Sequence, residues 1–144
     1  MATKKDEKKE APKELAVYLK EPKHIQKYID VLGSEEAANQ YIQSALIVIG
    51  SSDDLRKCTQ QSLFQATVRS ASLGLSVDPA MKQAWNVPFS QKVKGKNGEP
   101  DTWIKVAQFQ PHYLGLYQLA MRTGKYWQIN VSPVYEGDEV YEDP

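Results

Sequence analysis

Residues 84–110, AWNVPFSQKVKGKNGEPDTWIKVAQFQ, decide the fold. Ala84–Phe89 alternates, with Trp85, Val87 and Phe89 on one side, and Trp103–Gln110 forms a second strand candidate. Between them, Gln91–Asp101 carries Lys92, Lys94 and Lys96 and an Asn97-Gly98 turn signal, so the stretch reads as a long β-hairpin. Pro88 has no N–H to give a ladder and belongs on an edge or at a bulge. Burial beneath a sheet accounts for the periodicity of Trp85, Phe89 and Phe109, and for that of Trp127 further on.

Downstream, Pro111 suits the first position of a helix, with Tyr113, Leu116, Tyr117 and Ala120 as its inner stripe and Gly124 as its end. Tyr126–Tyr135 is the clearest strand of the chain. Trp127, Ile129, Val131 and Tyr135 face one way while Gln128, Asn130 and Ser132 face the other, the pattern of a sheet covered on one side. Upstream the period changes to that of helices. A short helix near Leu15–Lys20 breaks at Pro22, and Ile25, Tyr28, Ile29 and Leu32 line one face of a second. Ser34 is an N-cap followed by Glu35 and Glu36, where a helix dipole favours negative charge. Tyr41, Ile42, Ala45, Leu46 and Ile49 supply the buried stripe of that helix, and Gly50-Ser51-Ser52 ends it. Another helix starts near Thr59–Ser62, runs through Leu63, Phe64 and Ala71, and stops at Gly74, a C′ glycine. The expected class is α+β: N-terminal helices, then a β-hairpin, a helix and further antiparallel strands.

The length of 144 residues allows one domain with a real core. Residues 1–13 are mixed lysine and glutamate and are expected to be a disordered charged tail. Residues 14–144 are expected to form the N-terminal part of a single domain cut short at its C-terminal side, because the acidic end stops just after a strand. No apolar run approaches a membrane span and no secretory signal opens the chain. The single cysteine, Cys58, excludes an internal disulfide and fits a reducing cytoplasm.

Several chemistries find no support. His24 and His112 are lone residues without ligand-spaced partners, so no metal site is expected. Gly124-Lys125 resembles the tail of a phosphate loop, but Tyr126 stands where serine or threonine is required. Cys58 reads better as a packing residue than as a nucleophile. Asp53-Asp54 and Glu35-Glu36 sit at helix starts, which explains them without catalysis. No catalytic residue and no cofactor is expected, and the chain does not read as an enzyme.

A net charge of zero conceals segregation. Residues 56–134 hold ten basic and three acidic side chains, while residues 135–144 hold five acidic ones and none basic. A basic block attracts polyanions, although a solvated basic surface is an equally open reading. Aromatic and amide residues are interleaved with the cations, and the candidate DNA-binding set is Lys92, Lys94, Lys96, Trp103, Lys105, Gln108, Gln110, Tyr113, Arg122 and Lys125. Single-stranded nucleic acid requires this combination: cations track phosphates, planar groups stack on bases, and amides hold the backbone. In an extended segment the lysines at 92, 94 and 96 would share one face. The expectation is that the surplus cations line one shared trough.

From Cys58 onward the chain resembles the RecT family of phage single-strand annealing proteins. The resemblance rests on Cys58, Ser62, Ala66, Ala71 and Leu73-Gly74-Leu75, then Pro79, Gln83-Ala84-Trp85 and Val87-Pro88-Phe89. It continues through Gln108-Phe109-Gln110, Tyr113, Gly115-Leu116, Leu119-Ala120 and Arg122-Thr123-Gly124, and closes with Val134-Tyr135-Glu136-Gly137-Asp138-Glu139. It covers about residues 34–142. One position departs: Leu114 stands where the family usually has lysine or arginine. The resemblance implies a cytoplasmic, phage- or prophage-encoded protein that coats single-stranded DNA as a ring or helical homo-oligomer. Such a protein anneals complementary strands without ATP in homologous recombination, passes through an annealed duplex, and does not act at a membrane. It further implies a phage exonuclease and a host single-strand binding protein as partners. The alternative is an oligomeric scaffold or partner-binding module without strong DNA binding. A nuclease ranks below both, because no acidic metal cluster is visible.

Overall fold

The computed structural model describes residues 14–95 and 99–140. The expected charged tail at residues 1–13, the Asn97-Gly98 turn and Lys96 lie outside the described residues. The described elements are α1 (residues 14–19), α2 (Pro22–Leu32), α3 (Glu35–Ser51), α4 (Gln60–Ser72), β1 (Ala84–Val93), β2 (Thr102–Pro111) and α5 (Tyr113–Arg122). Short 3₁₀ turns at Leu55–Lys57 and Pro79–Met81 join α3 to α4 and α4 to β1. The class is α+β.

Each helix start has a chemical cause. Pro22 opens α2 at a position where a missing N–H costs nothing. The Ser34 hydroxyl accepts the Ala37 N–H at 3.1 Å, with Glu35 and Glu36 in the first turn of α3. Thr59 caps α4 by accepting the Ser62 N–H at 3.3 Å. Gly74, at φ +59°, ends α4: its N–H meets the Ala71 carbonyl, and the Leu75 N–H reaches back to Ser70. That paired closure needs a left-handed residue, which glycine supplies without strain.

The core lies among α1–α4 and under one face of the hairpin. Leu15, Leu19, Tyr28, Ile42, Ile49, Leu63 and Phe64 are buried in one cluster that extends to Ala107 of β2. Each such aliphatic side chain contributes about 1.5–3 kcal/mol on burial. Tyr28 and Thr67 pair inside the core, whereas the buried Asn86 amide has no hydrogen-bond partner among the described residues. The Tyr28 hydroxyl lies 2.6 Å from Thr67 Oγ1, which donates in turn to the Leu63 carbonyl at 2.8 Å. Burial raises the Tyr28 phenol well above its usual range, and it pushes Tyr41 up to about 12.

β1 and β2 pair antiparallel from Ala84↔Pro111 to Val93↔Thr102. The hairpin is present as expected and Phe109 packs against the core as expected, but β1 turns the opposite face inward from the expected one. Ala84, Asn86 and Ala107 are buried and Phe109 is half-buried, whereas Trp85 and Phe89 stand exposed on the opposite face. The reason is the close approach of α4, which packs chiefly on β2. Small residues at 84 and 107 allow that approach, and the bulky alternate set is turned outward. Pro88 lies opposite Ala107, whose N–H points away from β1 to Ser62 Oγ at 2.9 Å. The missing N–H of Pro88 therefore costs the β1–β2 ladder nothing.

Three further expectations are corrected. Pro111 is the last residue of β2 and His112 the N-cap of α5, so the helix starts two residues later than expected. α5 buries Gly115 rather than the stripe of Tyr113, Leu116 and Tyr117, all of which are exposed. A Cβ at Gly115 would strike the Gln83 carbonyl, so this close contact sets which side of α5 turns inward. Finally, residues 126–135 form no strand in the single chain; Trp127 is 96% exposed and Val131 is 93% exposed. The alternation is real in the sequence, but no sheet edge lies against it.

Candidate nucleic-acid interface

The uncovered face of the hairpin carries Trp85, Val87, Phe89, Gln91 and Val93 from β1, and Thr102, Ile104, Val106, Gln108 and Gln110 from β2. At its base Trp85 stacks on His112, with ring centroids 5.4 Å apart and planes 18° apart, and His112 in turn meets Tyr113 at 4.5 Å. Trp85 is 47% exposed and Tyr113 66% exposed. Three planar side chains thus form a step beside the amides of Gln108 and Gln110. Successive residues on one strand face repeat at about 6.7 Å, so the face offers a regular series of planar and amide groups. Such a surface can stack on bases without reading their edges.

The hairpin is held in place from one side. The Thr59 N–H donates to the Lys105 carbonyl at 3.0 Å, and Ser62 takes the Ala107 N–H, so residues 58–62 close the outer edge of β2. Cys58 is buried in this seam, and burial pushes its thiol up. A raised thiol is a poor nucleophile, which agrees with a packing role.

Among the described residues, the candidate cations fall in separate places. Lys92 lies opposite Trp103 near the hairpin tip, on the face that α4 covers further down, with Lys94 next along the chain. Lys92 pairs with Asp101 at 2.8 Å, and that lysine holds the Asp101 carboxyl below its usual range. Lys105 shares this face but is tied to Asp54 at 2.6 Å, which lowers the Asp54 carboxyl in the same way. Arg122 donates to the carbonyls of Leu73 and Gly74 at the end of α4. Lys125 lies just beyond α5, away from the tip. Of the ten expected residues, Gln108, Gln110 and Tyr113 gather on the open face, Lys92, Lys94 and Trp103 gather at the tip, and Lys105, Arg122 and Lys125 join neither group. Lys96 is not among the described residues.

Sequence reading missed Trp85, Phe89 and His112 as surface groups. Alternation marks two faces but not which of them is covered. The usable signal was residue size within β1 and opposite it, since the small residues Ala84 and Ala107 lie on one face and Trp85 and Phe89 on the other. Among the described residues, no group of three or more histidine, cysteine, aspartate or glutamate side chains could hold a metal, and no helix is long and apolar enough to cross a membrane.

Residues 39–144 match the sequence model of the RecT family. The chain is 34% identical over 120 residues to the uncharacterized protein YqaK of Bacillus subtilis, covering 83% of this chain and 37% of that protein. It is 26% identical over 122 residues to protein RecT of Escherichia coli, covering 85% of this chain and 43% of that protein. The matched part of the chain therefore covers less than half the length of these relatives. No solved structure matches it.

Proposed function

The chain belongs to the RecT family, and on that premise we propose that it binds single-stranded DNA and anneals complementary strands without ATP. The observation that carries the proposal is the open hairpin face, where Trp85, His112 and Tyr113 form an uncovered aromatic step beside Gln108 and Gln110. A protein core would bury such groups; a strand of nucleotides gives them partners.

In this reading the bases lie against the open face, and the phosphates run past the tip lysines Lys92 and Lys94, with Lys96 following them in the sequence. The Lys92–Asp101 pair is solvent-exposed and screened by water, so a phosphate can replace the carboxylate. Repulsion between two phosphate backbones is the main barrier to pairing, and the lysines lower it. Counterion release makes binding salt-sensitive, at about 0.7 log units of affinity per log unit of salt for each phosphate neutralised. No step of this process requires a nucleotide cofactor or a metal. Recombination beside a phage exonuclease, on a host single-strand binding protein, is the setting proposed for it.

The test is annealing of two complementary oligonucleotides by the full chain in EDTA, without ATP. Duplex formation faster than the spontaneous rate, with no cleavage when divalent metal is added, supports the proposal. Absence of both binding and pairing would leave the scaffold reading. Cleavage with metal would make the protein a nuclease.

A further inference from the structure

We propose that His112 is the positioning residue of the stacking step: its imidazole holds the Trp85 indole in the orientation in which a base stacks on it. The role rests on the DNA-binding reading above and identifies what shapes that surface before DNA arrives.

His112 stands where the chain leaves β2 for α5, and its own place is fixed at several atoms. Its backbone N–H donates to the Gln83 carbonyl at 2.9 Å, and its carbonyl accepts the Leu116 N–H at 3.0 Å. Its ring Nδ1 accepts the Leu114 N–H at 3.5 Å, a long cap for α5. Gln83 is anchored in turn, because its side-chain oxygen accepts the Ser76 N–H at 2.8 Å. The same Gln83 carbonyl packs closely on Gly115. Ala84 pairs with Pro111 at the base of the hairpin; Trp85 follows one member of that pair and His112 the other. The imidazole is thus mounted on a strand end and a helix start together, and a group locked on regular elements holds its neighbours with precision.

Trp85 lies outside the buried core cluster, on the hairpin face turned away from α4. Among the described residues, the ring that stacks on its indole is His112, with planes only 18° apart. Tyr113 meets the same imidazole at 4.5 Å, with planes at 45°. His112 is therefore the ring that the other two share. An imidazole engaged by two aromatic neighbours has little free face for a base, so it acts on DNA through Trp85 and Tyr113 rather than by its own contact.

The consequence is affinity through preorganisation. A surface aromatic that is free to turn must be ordered when a base stacks on it, and each such side chain weakens binding by about two- to tenfold. An indole already held flat against His112 escapes that cost. His112 also caps α5, and the two tasks make opposite demands on a substitute. Asparagine is a strong N-cap but has no ring. Phenylalanine has a ring that can stack but no acceptor for the Leu114 N–H. The two replacements therefore separate holding Trp85 from starting the helix.

The test compares the full native chain with His112→Ala, His112→Asn and His112→Phe. Two readouts are taken: near-ultraviolet circular dichroism without DNA, and oligothymidine affinity by fluorescence anisotropy. The Trp85 band is the part of the dichroism lost in Trp85→Phe. His112→Ala should lose that band and bind about tenfold more weakly. His112→Phe should recover the band and most of the affinity. His112→Asn should recover the thermal midpoint but neither the band nor the affinity. Recovery of affinity by asparagine and not by phenylalanine would make His112 a helix cap alone and overturn the proposal. Should His112→Phe unfold by far-ultraviolet circular dichroism, His112→Tyr supplies the ring in its place. Native binding with band and affinity unchanged in His112→Ala overturns the role of His112 alone; absence of native binding overturns the DNA-binding reading, and this role with it.

Discussion

The Arg122 guanidinium fastens α5 to Gly74: Nη2 donates to the Gly74 carbonyl at 2.9 Å while Nη1 holds the Leu73 carbonyl at 2.8 Å. Carbonyls at a helix end carry partial negative charge, so a cation is well placed there. The contact is exposed, and solvent screening limits it to about 1 kcal/mol. Arg122→Ala should lower the thermal midpoint by about 3 °C. It should weaken single-stranded DNA binding less than substitution of Lys92 does, as fluorescence anisotropy would show.

Gly115 carries a packing constraint rather than a turn. A methyl group there meets the Gln83 carbonyl, and backbone cannot swing aside as a flexible side chain would. Gly115→Ala should destabilise the fold by about 1–3 kcal/mol, the usual cost of overpacking. Urea unfolding followed by tryptophan fluorescence should show the loss as a lower midpoint with the slope unchanged.

Ser62 serves α4 and β2 at once. Its hydroxyl donates to the Thr59 carbonyl at 2.8 Å and accepts the Ala107 N–H at 2.9 Å. Ser62→Ala leaves that N–H without a partner beside the core, at a cost of about 1–2 kcal/mol. Hydrogen exchange should quicken at the Ala107 amide before it quickens at the amides of α3.

Burial raises the ionising groups of Tyr28, Tyr41 and Cys58. As pH rises through the ordinary thiol and phenol range, about 8.5–10, the unfolded chain loses these protons first. The unfolded state then binds fewer protons than the folded one, so stability falls as pH rises. The denaturation midpoint should drop between about pH 8.5 and pH 11, and Cys58 should resist iodoacetamide at pH 7 until denaturant is added. Rapid alkylation of the native chain would contradict the packing role.

The helical half of the fold is legible because each boundary has a local cause: Pro22 at an N1 position, the Ser34 hydroxyl, the Thr59 cap, and Gly74 in its left-handed closure. The hairpin is legible for the same kind of reason. Its orientation is not, because period-two alternation in residues 84–89 is satisfied equally by either face. The choice depends on how closely α4 can approach Ala84 and Ala107, which is a tertiary property. The site shares this division. Gln108, Gln110 and Tyr113 are found from the pattern, whereas the stacking of His112 on Trp85 depends on how the chain turns from β2 into α5. Arg122 shows the converse: its charge suggests phosphate, while its bonds to the Leu73 and Gly74 carbonyls are not legible in the sequence.

The account rests on single-stranded DNA lying across the open hairpin face with its phosphates at the tip. The most direct measurement is the affinity of the full chain for a fluorescent oligothymidine across a salt series, repeated with Lys92, Lys94 and Lys96 all changed to glutamate. The native chain should give a log–log slope of about −2, for three phosphate contacts on a single strand. The triple variant should bind at least tenfold more weakly, with a flatter slope. Equal affinity and equal slope for the two proteins would place the DNA elsewhere on the molecule.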